Sequence, residues 1–257
     1  MCWQCSSFIC PGMARKIMRF GTTADTSEKN PGSDRPAHIK LNHFMKSILY
    51  ISQYHPVPST PQKPILMLDG KEVLYGDFFS VDGVLIKLLH KYCTINGFAL
   101  KVCGRTRDPG DGEAEYFKNL LGLDGWEFKS ATGRTNAYKH VTEADYVVFI
   151  DSTLGIESLA RGKKAAAFYV RGKMLGLSAR DFAWPAKYPG EGPFWTNVLT
   201  EQEFERVMGF ITTVSDEEWQ RVCQRFVPEI MEYDPGNTIF LKLMRKLGVP
   251  LRAEYSR

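Results

Sequence analysis

The pattern of apolar and polar residues changes at about position 46. Before that position no apolar period is sustained, and residues 21–36 are rich in Thr, Ser, Asp, Gly and Pro, a composition typical of disorder. After it, short apolar runs alternate with segments whose apolar residues recur every three or four positions. The pattern predicts an irregular lead-in over residues 1–45 and a folded domain over residues 46–250.

Within the folded part, continuous apolar runs predict strands and a helical apolar period predicts helices. Predicted strands cover residues 47–53, 98–103, 126–130, 146–150 and 165–170. Predicted helices cover residues 78–92, 114–121, 136–143, 156–160, 201–213, 216–231 and 238–247. Asn96-Gly97 is expected to end the first helix. Ser215 is expected to cap the helix over residues 216–231. The stretch between Arg171 and residue 200 is predicted to be irregular.

Strands that alternate with helices need crossover connections, which make the strands parallel and place helices on both faces. The runs YVVFI (146–150) and AAAFYV (165–170) are continuously apolar, as expected of central strands buried on both faces. We therefore predict an α/β fold with a doubly wound, Rossmann-like parallel sheet and trailing C-terminal helices.

Composition narrows the possible functions. A net charge of +4 is too small to favour nucleic-acid binding, and no apolar run is long enough to span a bilayer. Any membrane contact is therefore expected to be peripheral, at the inner face. The Cys2/Cys5 pair has no second pair at zinc-ligand spacing, while Cys93 and Cys103 lie in apolar segments as small hydrophobes do. These features favour a reducing, cytoplasmic location and no bound metal.

The end of the fourth predicted strand is the strongest candidate site, because open α/β sheets bind ligands at the carboxyl ends of their strands. A helix starts there at once, and its free N–H groups suit a phosphate. The turn consists of Ser152, Thr153, Leu154 and Gly155. Glu157, one turn further on, can accept hydrogen bonds from a ribose diol. The alternative is that Asp151 or Ser152 only caps the helix and that Glu157 is solvated.

Two other strand ends carry candidate phosphate ligands. Gly104 allows close approach of the backbone, and the guanidinium of Arg105 can pair with phosphate oxygens; the alternative is a solvated surface loop. The loop over residues 132–136, with Lys139 after it, can cover a base or a phosphate. None of these segments is a P-loop or a GxGxxG motif, so an ATPase or a dinucleotide enzyme is not indicated.

His55 is the one histidine placed as a catalytic candidate, because it follows the first predicted strand. The aromatic, proline-containing stretch over residues 182–195 has two interpretations. It can form a lid or wall on the acceptor side, or it can be a hydrophobic strap packed on the core.

The run ADYVVFIDSTLGIESLARGKK (144–164) resembles the C-terminal nucleotide-sugar half of GT-B glycosyltransferases, above all those of bacterial surface-carbohydrate biosynthesis. In that group a strand, a hydroxyl-bearing turn and a helix with an acidic residue hold the donor. Ser152, Thr153 and Glu157 match these features. Residues 47–54 and 194–197 are similar too, with less specificity. The resemblance implies a nucleotide-sugar donor as substrate and no bound metal or other cofactor.

The chain departs from that family in length. A complete GT-B enzyme has two Rossmann-like domains, whereas about two hundred residues suffice for one. The acceptor half is therefore expected to be missing, reduced or supplied by a partner chain, and the family's catalytic base has no evident counterpart. The resemblance implies transfer of a sugar to a surface glycan or a lipid-linked acceptor. The alternatives are a non-catalytic donor-binding subunit or remnant, and a nucleotide-sugar epimerase or polyol-phosphate transferase on the same scaffold.

Overall fold

The computed structural model describes residues 45–60, 62–68, 70–105, 112–131, 136–185 and 188–249. The predicted lead-in, with Cys2 and Cys5, lies outside these residues, as do residues 132–135 of the third strand-end loop. The described residues belong to two compact units, residues 45–233 and residues 234–249. The predicted boundaries of the folded domain stay a prediction.

The strands are short and follow one another with helices between them. They are β1 (Ser47–Ile51), β2 (Pro64–Leu68), β3 (Lys71–Leu74), β4 (Ala99–Cys103), β5 (Trp126–Lys129), β6 (Tyr146–Phe149), β7 (Lys164–Phe168), β8 (Glu191–Gly192) and β9 (Trp195–Thr196). The helices are α1 (Tyr75–Asn96), α2 (Glu113–Leu121), α3 (Asn136–Glu143), α4 (Thr153–Ala160), α5 (Arg171–Leu175), α6 (Glu201–Thr213), α7 (Asp216–Phe226) and α8 (Thr238–Lys246), with a 3-10 helix at Ser178–Arg180.

The main sheet has seven strands in the order β5-β4-β1-β6-β7-β9-β8. All neighbouring pairs are parallel except β8 with β9. From the central strand β1 the chain adds β4 and then β5 on one side of the sheet. It then returns to the centre with β6, and the remaining strands lie on the other side. The predicted doubly wound parallel sheet is confirmed, and its order reverses between β1 and β6.

The central strands are buried because helices cover both faces of the sheet. Every residue of β1 and of β6 is buried, which agrees with their continuous apolar sequences. Cys93 and Cys103 are buried free thiols, as predicted, and burial raises the pKa of each to about 12. Helix α1 ends at Gly97, whose φ of +69° is a left-handed conformation that favours glycine.

Three features differ from the sequence prediction. An antiparallel hairpin of β2 and β3 lies between β1 and α1, in a stretch for which no strand was predicted. The stretch after residue 170 is not irregular throughout, since it contains α5 and the β8–β9 pair. Helix α7 ends at Phe226 rather than residue 231, because Pro228 has no N–H to donate and restricts the residue before it.

Residues 234–249 contain α8, whose first turn is tied to Asp234. One carboxylate oxygen of Asp234 accepts from the N–H of Ile239 at 2.9 Å, and the other accepts from the hydroxyl of Thr238 at 2.7 Å. Across the described part of the chain, no helix has both the length and the hydropathy that crossing a bilayer requires.

Ser215 caps α7 as predicted, and this contact gives a direct test of the fold. Its hydroxyl oxygen accepts from the N–H of Glu218 at 3.1 Å. We expect Ser215→Ala to lower the free energy of unfolding by about 1 kcal/mol in urea denaturation, because an N–H of the first turn loses its acceptor. Ser215→Asp keeps an acceptor and is expected to stay close to the parent chain; equal stability of both variants would contradict the capping role.

Candidate functional site

The candidate site lies at the carboxyl edge of the sheet, where the strand order reverses between β1 and β6. Helix α4 starts there. Ser152 occupies the N-cap position with extended backbone (φ −85°, ψ 131°), is 8% exposed, and makes no capping hydrogen bond through its side chain. Thr153 is exposed. The first N–H groups of α4 have no intrahelical acceptor, as in any α-helix, so this turn presents hydrogen-bond donors at the edge of the sheet.

Gly155 sets how closely α4 packs on β6. A Cβ atom at this position would lie 2.1 Å from a ring carbon of Phe149, the last residue of β6. The glycine therefore has a packing reason independent of any ligand, and it brings the first turn of α4 against the strand end. Leu154 is partly buried beside the core, whereas Glu157 is partly exposed and its side chain makes no hydrogen bond or ion pair with the described residues.

A buried guanidinium joins this turn to the rest of the domain. The side chain of Arg171, the first residue of α5 shortly after β7, is 1% exposed. Its Nη1 donates to Asp151 Oδ1 at 2.5 Å, and its Nη2 donates to Asp82 Oδ2 at 2.6 Å. Its Nε donates to the carbonyl oxygen of Phe78 at 2.8 Å, and Tyr50 Oη donates to the other oxygen of Asp82 at 2.7 Å. The ends of β6 and β7, helix α1 and strand β1 therefore meet in one network.

The charges in this network are out of contact with water. Burial raises the pKa of Asp82, although the charge of Arg171 and the hydrogen bond from Tyr50 act in the opposite direction. Burial and the nearby Asp82 raise the pKa of Tyr50. Asp151 Oδ2 is buried and has no hydrogen-bond partner among the described residues; Arg180 Nη1 lies 3.6 Å from it. The alternative that Asp151 caps α4 is therefore wrong, since its carboxylate is directed to arginines.

Gly104 and Arg105 form a second strand end at this edge. A Cβ atom on Gly104 would lie 2.7 Å from the ring of Phe128, so this glycine too is required by packing. The backbone N–H of Arg105 donates to both oxygens of the buried Glu113, at 2.9 and 3.0 Å. Its guanidinium Nη1 donates to the carbonyl oxygen of Tyr54 at 3.2 Å, across the ends of β4 and β1. The guanidinium is thereby held beside the segment that follows β1.

His55 lies in that segment, directly after Tyr54. Its ring is exposed, stacks on Phe79 with 5.5 Å between the ring centroids, and has Nδ1 3.0 Å from the carbonyl oxygen of Pro56. The guanidinium of Arg105 donates to Tyr54, the residue before His55, so the two candidate residues Arg105 and His55 are neighbours. Lys139 is different, because its side chain is 68% exposed on α3 and lies 3.7 Å from Glu143. No contact among the described residues joins Lys139 to the α4 turn.

The stretch over residues 182–195 is mainly a hydrophobic strap. Phe182, Phe194 and Trp195 are each at most 2% exposed, and the rings of Phe182 and Trp195 stack at 4.7 Å. Trp184 is the exception, with 60% exposure. The strap interpretation holds for the three buried aromatics, and a wall on the acceptor side stays a prediction for the rest of the stretch.

A family model described as "putative O-antigen biosynthesis protein" matches residues 24–248. The chain belongs to that family. The match agrees with the surface-carbohydrate part of the resemblance and spans every described helix and strand. No curated protein matches the chain. Among the described residues, no group of three or more His, Cys, Asp or Glu side chains is arranged to hold a metal ion.

From the sequence we did not identify Tyr50, Asp82 and Arg171, three residues of the buried network beside the candidate site. Tyr50 reads as one more apolar strand residue, Asp82 stands alone on the buried face of α1, and Arg171 directly follows an apolar strand. A single charge within an apolar pattern is a signal in itself, because a buried charge needs a partner. The signal does not say which charge pairs with which.

Loss of Arg171 tests the network. We expect Arg171→Met to lower the free energy of unfolding by about 3–5 kcal/mol, because Asp82 and Asp151 stay buried without their cation. The control is Lys139→Met, which removes an exposed ion pair and should change stability by about 0.5 kcal/mol or less. Urea denaturation followed by circular dichroism measures both; a loss below about 1 kcal/mol for Arg171→Met would contradict a structural role.

The same variant has a predicted pH dependence. Because the pKa of Asp82 is raised in the folded chain, folded Asp82 keeps its proton at pH values at which the unfolded chain has already released it. The free energy of unfolding therefore falls as the pH rises above the ordinary carboxyl pKa. Removing Arg171 takes away the charge that lowers this pKa. The destabilisation of Arg171→Met is therefore expected to be larger at about pH 8 than at about pH 5. A loss that is independent of pH would show that Asp82 is not the group left uncompensated.

Proposed function

We propose that this chain is a GT-B-type glycosyltransferase, or the donor-binding domain of one, that transfers a sugar from a nucleotide-sugar to a surface glycan or lipid-linked acceptor. The observation that carries the proposal is the position of the α4 turn. Its free N–H groups and the hydroxyls of Ser152 and Thr153 lie at the reversal of strand order, where doubly wound sheets bind nucleotides. Membership of an O-antigen biosynthesis family supports the sugar part of the substrate.

In this proposal the protein stabilises the charge of the leaving nucleotide. Charge builds on the phosphate as the bond to the sugar breaks, and the α4 N–H groups with the hydroxyl of Thr153 donate to it. Arg105 is held at the end of β4 by the carbonyl oxygen of Tyr54 and supplies a positive charge from the other side of β1. In this proposal groups of the protein stabilise the negative charge of the leaving phosphate. The nucleotide-sugar is a substrate and not a cofactor.

Two further roles complete the donor site. The carboxylate of Glu157, which has no partner among the described residues, accepts hydrogen bonds from the ribose hydroxyls. His55 is the candidate base for the acceptor hydroxyl, because its exposed ring lies beside the segment that Arg105 contacts. The reaction would take place in the cytoplasm, against the inner face of the membrane if the acceptor is lipid-linked.

A non-catalytic donor-binding subunit is the second candidate function. Residues 45–233 contain one doubly wound sheet, whereas a complete GT-B enzyme has two such domains. In this case the acceptor half belongs to a partner chain. Donor binding without turnover, followed by turnover once a partner is added, would identify this function.

Donor binding is the direct test of the proposal. At a ligand concentration one hundred times the Kd, binding stabilises the folded chain by about 2.7 kcal/mol, which raises Tm by roughly 5–10 °C for a chain of this size. We expect such a shift with at least one of a UDP-, GDP-, CDP- or CMP-sugar in differential scanning fluorimetry. The proposal is wrong if none of them shifts Tm at millimolar concentration.

The ribose contact gives a residue-level test. Glu157→Gln keeps the size of the side chain but removes its charge, so the affinity for the stabilising nucleotide is expected to fall about tenfold. Because the contact is to ribose hydroxyls, the variant should lose discrimination between that nucleotide and its 2′-deoxy form. Glu205→Gln, the same change on the exposed side of α6, is the control. Undiminished ribose discrimination in Glu157→Gln would remove Glu157 from the site.

A further inference from the structure

A cleft lies beyond the ends of β7 and β9, at the same edge of the sheet as the α4 turn. It has a volume of about 690 Å³ and lies between α5, the 3-10 helix and the residues around β8. Its polar lining consists of Lys173, Ser178, Asp181, Glu191 and Asn197. None of these residues has a role in the donor site proposed above.

Asn197 is the buried donor of this cleft. It follows β9 directly and is only 7% exposed. Its Oδ1 accepts from the backbone N–H of Phe182 at 3.2 Å, which fixes the orientation of the amide group. The opposite end of the amide, Nδ2, has no acceptor among the described residues, and the residue lines the cleft. This amide donor is held in place and is open to the cleft, so it can donate to an acceptor on a ligand there.

Asp181 and Glu191 are the acceptors. Asp181 Oδ1 lies 2.2 Å from where a Cβ atom of residue 172 would stand, so Gly172 is required for the carboxylate to lie against α5. Neither carboxylate forms a hydrogen bond or an ion pair with the described residues, and Lys173 forms none either. The cleft therefore combines carboxylate acceptors with amide and ammonium donors, none of which has a partner among the described residues.

The signs of these groups select the chemistry of the ligand. A phosphate or another anion is disfavoured by the two carboxylates, and a metal ion or another cation is disfavoured by Lys173 and by the Asn197 amide donor. A neutral ligand with many hydroxyl groups satisfies both sets, because each hydroxyl donates and accepts. We propose that this cleft binds the hydroxyl groups of a sugar ring, either the sugar of the donor or a sugar of the acceptor glycan. The assignment to donor or acceptor rests on the proposed function.

The 3-10 helix connects the cleft with the α4 turn. Ser178 at its start lines the cleft, and Arg180 at its end lies 3.6 Å from Asp151 Oδ2. Asp151 directly precedes Ser152, the N-cap residue of α4. The cleft and the α4 turn are therefore connected through the 3-10 helix and the contact between Arg180 and Asp151.

Isothermal titration of the full chain tests the proposal. The probes are UDP-N-acetylglucosamine and GDP-mannose, the bare nucleotides UDP and GDP, and O-polysaccharide released from lipopolysaccharide by mild acid. Asp181→Asn and Glu191→Gln each remove one charged acceptor of the cleft, and we expect the affinity for a sugar-containing probe to fall about tenfold. Glu205→Gln on α6 is the matched control, and Glu191→Gln changes an exposed side chain without partners, so its fold should be intact.

The arms of the experiment separate the sources of the sugar. Weaker binding of a nucleotide-sugar with unchanged binding of its bare nucleotide places the donor sugar in the cleft. Weaker binding of the polysaccharide alone places the acceptor there. Unchanged affinity of both variants for every sugar-containing probe, or no binding of any such probe to the parent chain, overturns the proposal. If none of the UDP-, GDP-, CDP- and CMP-sugars shifts Tm, the donor function is overturned, while the polysaccharide arm still decides the cleft.

Discussion

A buried arginine is the constraint on which the carboxyl edge of this domain depends. A guanidinium that is out of contact with water is tolerated only when its charge and its N–H groups are satisfied. Arg171 meets that requirement with Asp82 on α1, Asp151 after β6 and the carbonyl oxygen of Phe78, while the ring of Phe78 lies 4.3 Å from its guanidinium carbon. These partners come from different parts of the chain, so satisfying one side chain fixes the relative positions of α1, the β6 end and the β7 end.

The α4 turn and the cleft beside α5 both depend on that arrangement. On one side of the network, Asp151 leads into Ser152 and the first turn of α4, which packs tightly on Phe149 because residue 155 is a glycine. On the other side, Arg171 leads into Gly172, whose missing Cβ atom leaves room for the carboxylate of Asp181. The α4 turn and a polar cleft are thus attached to opposite ends of one buried charge network. The donor and sugar sites that we propose share this support.

The sheet could be predicted from the sequence, whereas the network could not. β6 and β7 are continuous apolar runs, and the segments before and after them have helical periods, so the parallel sheet follows from local pattern alone. β9 has two residues, too few to show a period. α5 begins with Arg171, a charged residue whose burial the local sequence pattern does not indicate. The partners Asp82 and Arg171 are 89 positions apart, and only the fold brings them together. The α4 turn was predictable because its residues are consecutive, while the cleft is built from separate segments.

Amide hydrogen exchange at the start of α4 tests the central claim most directly. The first N–H groups of a helix have no intrahelical acceptor and exchange readily unless a ligand accepts from them. If the phosphate of the donor binds there, a nucleotide-sugar that raises Tm will slow exchange over residues 153–155, whereas the N–H of Ile156 already donates to the carbonyl oxygen of Ser152. Ligand-induced protection elsewhere in the domain, with no change over residues 153–155, would contradict the account.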